Sequence, residues 1–308
     1  MIIVSGGTGF VGSAVVHELL RRGSKVAVLG RDLAKTRSRF HGQAVDTRQG
    51  DVRDKDSLRA AFNGAETVVN AVQFPNSPIE NKRKGWTFEQ FDYQGTLNQL
   101  EAAKAAGVQR FIYISGVGAA PDAEEHWFRL KWQAEEAIRQ SGIAHVIIRP
   151  TWVYGREDVA LNRFVGFARR LPFVPMFGDG KQLMQPVFVN DLANLVASAV
   201  DKAEATGLTF EVGGPEVLSM NAVIEIALNV AGMRKPVLHQ PVFVGKLLGS
   251  FLQFLPGPPL TRDAIDFITH EATADNSAMQ RVFAPQLTTL EEGLSSYLSG
   301  RKALNVGE

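Results

Sequence analysis

The stretch that most constrains this 308-residue chain is Gly6-Gly7-Thr8-Gly9-Phe10-Val11-Gly12. It follows a short apolar run, Ile2–Ser5, and opens an amphipathic pattern, Ser13–Arg22. Glycines at 6, 9 and 12 give the spacing G-x-x-G-x-x-G. One glycine allows a tight turn, one lets an anion approach backbone N–H groups, and one lets a helix pack closely on a strand. The helix N-terminus adds its unpaired amides and the positive end of its dipole. Strand, glycine turn and helix in that order point to a bound nucleotide pyrophosphate, contacted by Gly6, Thr8, Gly9, Phe10, Val11 and Gly12.

The rest of the first half repeats a strand–helix rhythm. Runs at Ile2–Ser5, Lys25–Leu29, Thr67–Val72, Phe111–Ser115 and His145–Arg149 are continuously apolar and rich in Val and Ile, with a weaker one at Gln43–Gln49. Such runs suit parallel strands covered on both faces. The helical patterns Ser13–Arg22, Thr87–Ala106 and Glu124–Ser141 each stop at a glycine, at 23, 107 and 142, the expected left-handed stop signal. The fold class is therefore α/β, a doubly wound parallel Rossmann sheet over residues 1–155.

Residues 156–308 read as a smaller, mostly helical, substrate-side region, interleaved with the sheet so that the chain forms one structural unit. Helical patterns at Val159–Arg170, Asp191–Ala203, Ser219–Ala231 and Arg262–Thr269 alternate with two short strands, Val187–Val189 and Thr209–Val212. Connectors such as Phe177-Gly178-Asp179-Gly180 and Pro256-Gly257-Pro258-Pro259 separate them.

Composition excludes several classes. Lys and Arg number 33 against 32 Asp and Glu, so no whole-molecule field gathers nucleic acid. The chain has no cysteine, which removes disulfides and thiolate chemistry and fits a reducing compartment. Its six histidines are scattered, and no metal site is expected. No apolar stretch reaches the ~18 residues of a membrane span. Val242–Leu255 comes nearest and is interrupted by Lys246. With an apolar run beginning at Ile2 and no leader ahead of it, the expectation is a cytoplasmic protein.

The glycine turn and several later segments resemble the extended and atypical short-chain dehydrogenase/reductase superfamily, over most of the chain. Gly50-Asp51-Val52 matches the family's G-D-[LV], where Asp51 and Val52 are implied to border the adenine. Gly95-Thr96 with Leu100-Glu101-Ala102-Ala103 is similar to a family helix, and Arg149-Pro150-Thr151-Trp152-Val153-Tyr154-Gly155 resembles the segment near the nicotinamide. The resemblance also implies cofactor contacts at Ala71, Pro150 and Val153. Gln185–Asp191, Val212–Glu216, Ser115–Ala119 and Leu255–Asp263 look most like the NDUFA9-like branch, which includes an accessory subunit of respiratory complex I.

The second strand ends Val28-Leu29-Gly30-Arg31. An acidic residue there would hold the ribose hydroxyls of NAD. Glycine leaves room for a 2′-phosphate and the Arg31 guanidinium can hold one bidentately, while Asp32 lies one position too far. NADP(H) is favoured, with NAD(H) the alternative and a solvated turn the bland reading of Arg31.

Reductases of this superfamily use Tyr-x-x-x-Lys, one helical turn placing phenol and ammonium together. None of the four tyrosines, Tyr93, Tyr113, Tyr154 and Tyr297, has a lysine four residues on. In the helix where the motif belongs, Lys131 aligns with the family lysine and Trp127 takes the tyrosine's place. An indole N–H donates a hydrogen bond but delivers no proton at neutral pH. Lys131 is favoured as a cofactor anchor over a surface lysine paired with Glu135. Trp127 lines the site or packs in the core, and Ser115 touches cofactor or substrate or merely ends a strand. Lys131, a bound water or His126 would replace the missing tyrosine in catalysis, with a solvated helix start the bland reading of His126.

Three functions follow. One is an NADP(H)-dependent oxidoreductase acting on a small apolar carbonyl or quinone without the usual tyrosine acid. Another is a non-catalytic, NADPH-binding accessory protein that docks on a larger complex or a membrane surface. The third is a sugar-nucleotide epimerase or dehydratase. Substrate identity, turnover and the choice of monomer or homodimer are not readable from the sequence.

Overall fold

The structure is a computed structural model that describes residues 1–75, 77–252 and 262–298. The Pro256–Pro259 connector and the end of the Val242–Leu255 stretch lie outside the described residues, as does most of the 255–263 motif. The chain divides into two compact units.

The first unit comprises Met1–Pro150, Val189–Val212 and Ala274–Gln286. It holds strands β1 Ile2–Ser5, β2 Val26–Gly30, β3 Val45–Gln49, β4 Thr67–Asn70, β5 Arg110–Ile114, β6 Ala144–Pro150 and β7 Thr209–Val212. They form one seven-stranded sheet in the order β7-β6-β5-β4-β1-β2-β3, and every pairing is parallel. Chain order reverses between β1 and β4, the crevice where doubly wound sheets bind ligands at strand C-termini. Strands β1, β2 and β4 are buried along their whole length, which explains their predominantly apolar sequence. Edge strand β3 is half-exposed and reads VDTRQ.

Helices α1 Phe10–Arg21, α2 Leu33–Arg39, α3 Lys55–Ala61, α4 Gln94–Ala105, α5 His126–Arg139, α6 Val189–Asp201 and α7 Ser277–Phe283 belong to this unit. Gly23, Gly107 and Gly142 all take positive φ, at +77°, +71° and +78°, as the stop signals require. The pattern Thr87–Ala106 differs in detail: it opens as a π-helical turn, Glu89–Tyr93, before α4 begins. Helices α1 and α6 are tied by Arg22, whose guanidinium donates to the Asn194 side chain at 2.7 Å. Leu58, Phe62, Phe111 and Ile138 are fully buried in the core, each contributing about 1.5–3 kcal/mol of apolar burial.

The second unit comprises Thr151–Phe188, Gly213–Thr273 and the chain from Leu287. Three two-stranded sheets replace the large one: Val153–Tyr154 with Val187–Phe188, Leu183–Met184 with Leu218–Ser219, and Val174–Phe177 with Val237–Gln240. Its described helices are Val159–Arg170, Met220–Val230, Val242–Leu252, Arg262–Thr269 and Leu290–Leu298. Tyr154 sits at its centre, fully buried, and its hydroxyl donates to the Thr289 carbonyl at 3.0 Å. A Cβ at Gly293 would lie 2.1 Å from that hydroxyl, so a glycine is needed where the last helix crosses the ring. Among the described residues no helix is long and apolar enough to cross a membrane.

Candidate functional site

The glycine turn sits at the C-terminal end of β1, beside the reversal point. Gly6 has φ +74°, and a Cβ there would lie 2.4 Å from the Ala71 carbonyl oxygen. Ala71 in turn donates its N–H to the Ser5 carbonyl at 3.0 Å, closing β1 onto the segment after β4. A Cβ at Gly12 would come within 2.2 Å of the Gly6 oxygen. The Gly9 N–H donates to that same oxygen at 2.9 Å. Gly9 is the N-cap of α1, with no side-chain cap and no acidic residue in the first turn. The first-turn amides are therefore left for an external anion, with their dipole uncancelled. Gly9 is exposed, and Thr8, Phe10 and Val11 are half-exposed around it. This cradle, shut to any side chain, fits a pyrophosphate.

At the ends of β2 and β3 the chain brings two loops together, Gly50 N–H donating to the Gly30 carbonyl at 3.1 Å. The absence of a side chain at Gly30 serves packing: a Cβ would lie 2.1 Å from Thr36 Oγ1. Packing against Thr36 therefore accounts for the glycine, which is no sign of room left for a phosphate. Arg31 is exposed, its guanidinium carbon 5.8 Å from the centre of the Phe91 ring. Asp32 caps α2, accepting from Lys35 N–H at 3.0 Å. Asp51 accepts from Arg53 three times, from its N–H at 3.0 Å, Nε at 3.1 Å and Nη2 at 2.7 Å. Burial opposes its ionisation, but these bonds outweigh it and hold the carboxyl below its ordinary value. Val52 is buried and its carbonyl accepts from Asn98 Nδ2 at 2.8 Å.

Helix α5 carries the departed catalytic pattern. Lys131 is buried, and Nζ donates to Asp92 Oδ1 at 2.6 Å. The surface pairing with Glu135 that helical spacing offers does not form. Burial works against the ammonium, and the Asp92 carboxylate more than offsets it, raising Lys131 above its ordinary value. Asp92 lies in the π-helical turn, which is tied to β4 through Thr96: the Thr96 hydroxyl donates to the Asp92 carbonyl at 2.6 Å and accepts from Asn70 Nδ2 at 3.0 Å. Glu135 is fully buried elsewhere, taking Ser115 Oγ at 2.6 Å and the guanidiniums of Arg149 and Arg139. Ser115 is thus a buried donor to a carboxylate at the end of β5.

Trp127 is buried within the hydrophobic core, ring centres 5.4–6.0 Å from those of His126, Phe128 and Phe88. His126 is half-exposed, its Nε2 3.6 Å from Glu80 Oε1. Pro150 is buried and its carbonyl accepts from Val117 N–H at 3.0 Å. Val153 belongs to the second unit, paired with Val187. The first unit thus brings together the glycine cradle, Ala71 and the buried Lys131–Asp92 pair. Arg31 and Asp51 gather around Phe91 at the ends of β2 and β3. Asp92, Arg53 and Phe91 were not foreseen, and Glu135 was expected only as a surface partner of Lys131, because each acquires its role from a partner distant in sequence or through a contact invisible to periodicity. The one usable signal was that an aspartate inside a helical pattern needs a partner if its face is buried.

A family model described as NAD(P)H-binding matches residues 6–166. Over 293 residues the chain is 28% identical to NADH dehydrogenase (ubiquinone) 1 alpha subcomplex subunit 9 of Arabidopsis thaliana, covering 90% of this chain and 71% of that protein. The Rattus norvegicus subunit of the same name is 30% identical over 280 residues, covering 86% and 70%. The NAD(P)H azoreductase of Xenophilus azovorans is 29% identical over 238 residues, covering 76% and 74%. In fold, the chain is similar to an NADPH-dependent quinone oxidoreductase of Escherichia coli solved with NADPH, with TM-score 0.74, 20% identity, and coverage of 96% and 99%.

Proposed function

Because this chain belongs to the NAD(P)H-binding family, within the short-chain dehydrogenase/reductase superfamily, we propose that it binds NADP(H) and acts as an oxidoreductase on a small apolar carbonyl or quinone-type acceptor. The observation that carries the reading is the cradle of Gly6, Gly9 and Gly12 against the uncapped start of α1. Those glycines and the first-turn amides would hold the pyrophosphate, and Arg31 the 2′-phosphate. When bound, the nicotinamide supplies a hydride to the acceptor.

The chain's own residues do the remainder. Lys131 is held in its pair with Asp92, which favours the ammonium, and serves as a fixed group rather than a proton donor. Trp127 excludes water from the helix face where the family carries its acid. His126, half-exposed at the start of α5, is the donor on this helix outside the buried pairs.

The burial of both Lys131 and Trp127 favours a second reading, in which NADPH stabilises a fold that docks on a larger assembly. The test is NADPH binding followed by absorbance, with a panel of quinones, azo dyes and enones added. Acceptor-dependent oxidation supports the enzyme. Tight NADPH binding with no turnover across the panel supports the docking role, and no nucleotide binding at all refutes both. Lys131→Ala is a poor probe, because it strands a buried carboxylate. His126→Ala, at a half-exposed position, is the cleaner test of proton supply.

A further inference from the structure

Three charged side chains after β2 and β3, Arg31, Asp51 and Arg53, meet at Phe91 of the π-helical turn with a net excess of one cation. Arg31 and Arg53 both lie over the Phe91 ring, their guanidinium carbons 5.8 Å and 5.0 Å from its centre. They are not equivalent. Arg53 is fixed: it holds both oxygens of Asp51 through Nε and Nη2, and Nη1 donates to the Lys84 carbonyl at 3.4 Å. Arg31 is exposed, and among the described residues it takes part in no hydrogen bond or ion pair beyond its ring contact. Asp51 is nonetheless within electrostatic reach of Arg31 as well.

We propose that Arg53 is a specificity-determining positioning residue. By holding both oxygens of Asp51 it keeps that carboxylate from capturing Arg31, and so preserves Arg31 as the cation for a 2′-phosphate. The inference rests on the NADP(H) reading above. With Arg53 present, the cluster of Arg31, Arg53 and Asp51 carries net charge +1. Without it, Asp51 has Arg31 as its nearest cation, and a dianionic phosphate meets a neutral pair. Phe91 contributes a fixed, buried face on which both planar cations rest. A cofactor lacking the 2′-phosphate senses the change less, because its ribose carries no charge for Arg31 and its pyrophosphate is held at the glycine cradle.

The test measures dissociation constants of NADPH and NADH by nicotinamide fluorescence on the full chain, for the wild type, Arg53→Gln and the double variant Arg53→Gln/Asp51→Asn. The single variant is expected to weaken NADPH by about tenfold with NADH changed less than about twofold. The double variant, with the carboxylate neutralised, recovers the NADPH preference to within about threefold of wild type. Equal weakening of both nucleotides, or no recovery in the double variant, overturns the role assigned to Arg53 while leaving the cofactor reading intact. A wild-type chain without NADPH preference overturns the NADP(H) reading and this inference with it. Urea unfolding of each variant separates loss of fold from loss of preference: an Arg53→Gln chain that is unfolded as purified overturns the positioning role in favour of a structural one.

Discussion

Lys131 Nζ donates to Asp92 Oδ1 at 2.6 Å, and both side chains are buried. The lysine at the position of the family motif's lysine is thus half of an internal ion pair that joins α5 to the π-helical turn before α4. Whatever it contributes to a bound cofactor, it contributes as a fixed charge.

Breaking this pair from one side is expected to be expensive. Lys131→Met or Asp92→Leu alone leaves an uncompensated buried charge and costs about 3–5 kcal/mol. The double variant replaces both charges with apolar groups and recovers most of that loss. Urea denaturation of the three variants measures the coupling. Additive losses in the double variant would show that the two groups act independently.

Gly12→Ala places a Cβ 2.2 Å from the Gly6 carbonyl oxygen, a backbone atom that yields only if the turn opens. The expected result is a loss of about 1–3 kcal/mol in stability together with loss of NADPH binding. Gly9→Ala, whose Cβ would meet the same oxygen at 3.2 Å, is expected to be milder on both counts. Thermal melts and nucleotide titration on the two variants check the order.

Trp127→Ala removes a buried indole from among His126, Phe128 and Phe88 and is expected to cost about 3–5 kcal/mol. Trp127→Tyr returns the family's residue type to this position, yet a phenol in that buried place gains no contact with solvent. It is expected to leave acceptor reduction unchanged in steady-state assays, and a large gain would show that the position faces substrate.

Asp158 caps the helix Val159–Arg170, accepting from Ala160 and Leu161 N–H at 2.9 Å and 2.8 Å. Burial nevertheless pushes it up to about 6, against about 3.9 for an unfolded aspartate. Between those values the folded chain holds the extra proton. The contribution of this group is therefore fully present below about pH 4 and is lost as pH rises through 6. Asp158→Asn keeps a capping oxygen without the buried charge. Relative to wild type it is expected to gain stability from pH 4.5 to pH 7.5, by no more than about 3 kcal/mol. Urea midpoints at the two pH values decide it, and a difference independent of pH would refute the assignment.

The geometry of the glycine turn was legible in the sequence, because its signals are local. A glycine at positive φ beside a carbonyl, a strand of unbroken Val and Ile, and a helix stopped by glycine each express a constraint satisfied within a few residues. The same locality explains why β1 and the helix Val159–Arg170 lie within the expected bounds. The pattern Thr87–Ala106 concealed its π-helical turn, since the turn lies at the start of the pattern, where too few residues precede it to show a break in phase.

What the sequence determined by itself is a nucleotide-binding parallel sheet without a Tyr-x-x-x-Lys spacing: the glycine turn states the first, and four tyrosines without a lysine at the fourth position state the second. Only the tertiary structure decided which charges meet. Lys131 had Glu135 one helical turn away and paired instead with Asp92, 39 residues earlier in the chain, while Glu135 took Ser115 and two arginines. Burial sets that choice. A charge facing the interior takes the partner whose hydrogen bonds replace its lost water, and packing of distant elements, not spacing along the helix, brings that partner within reach.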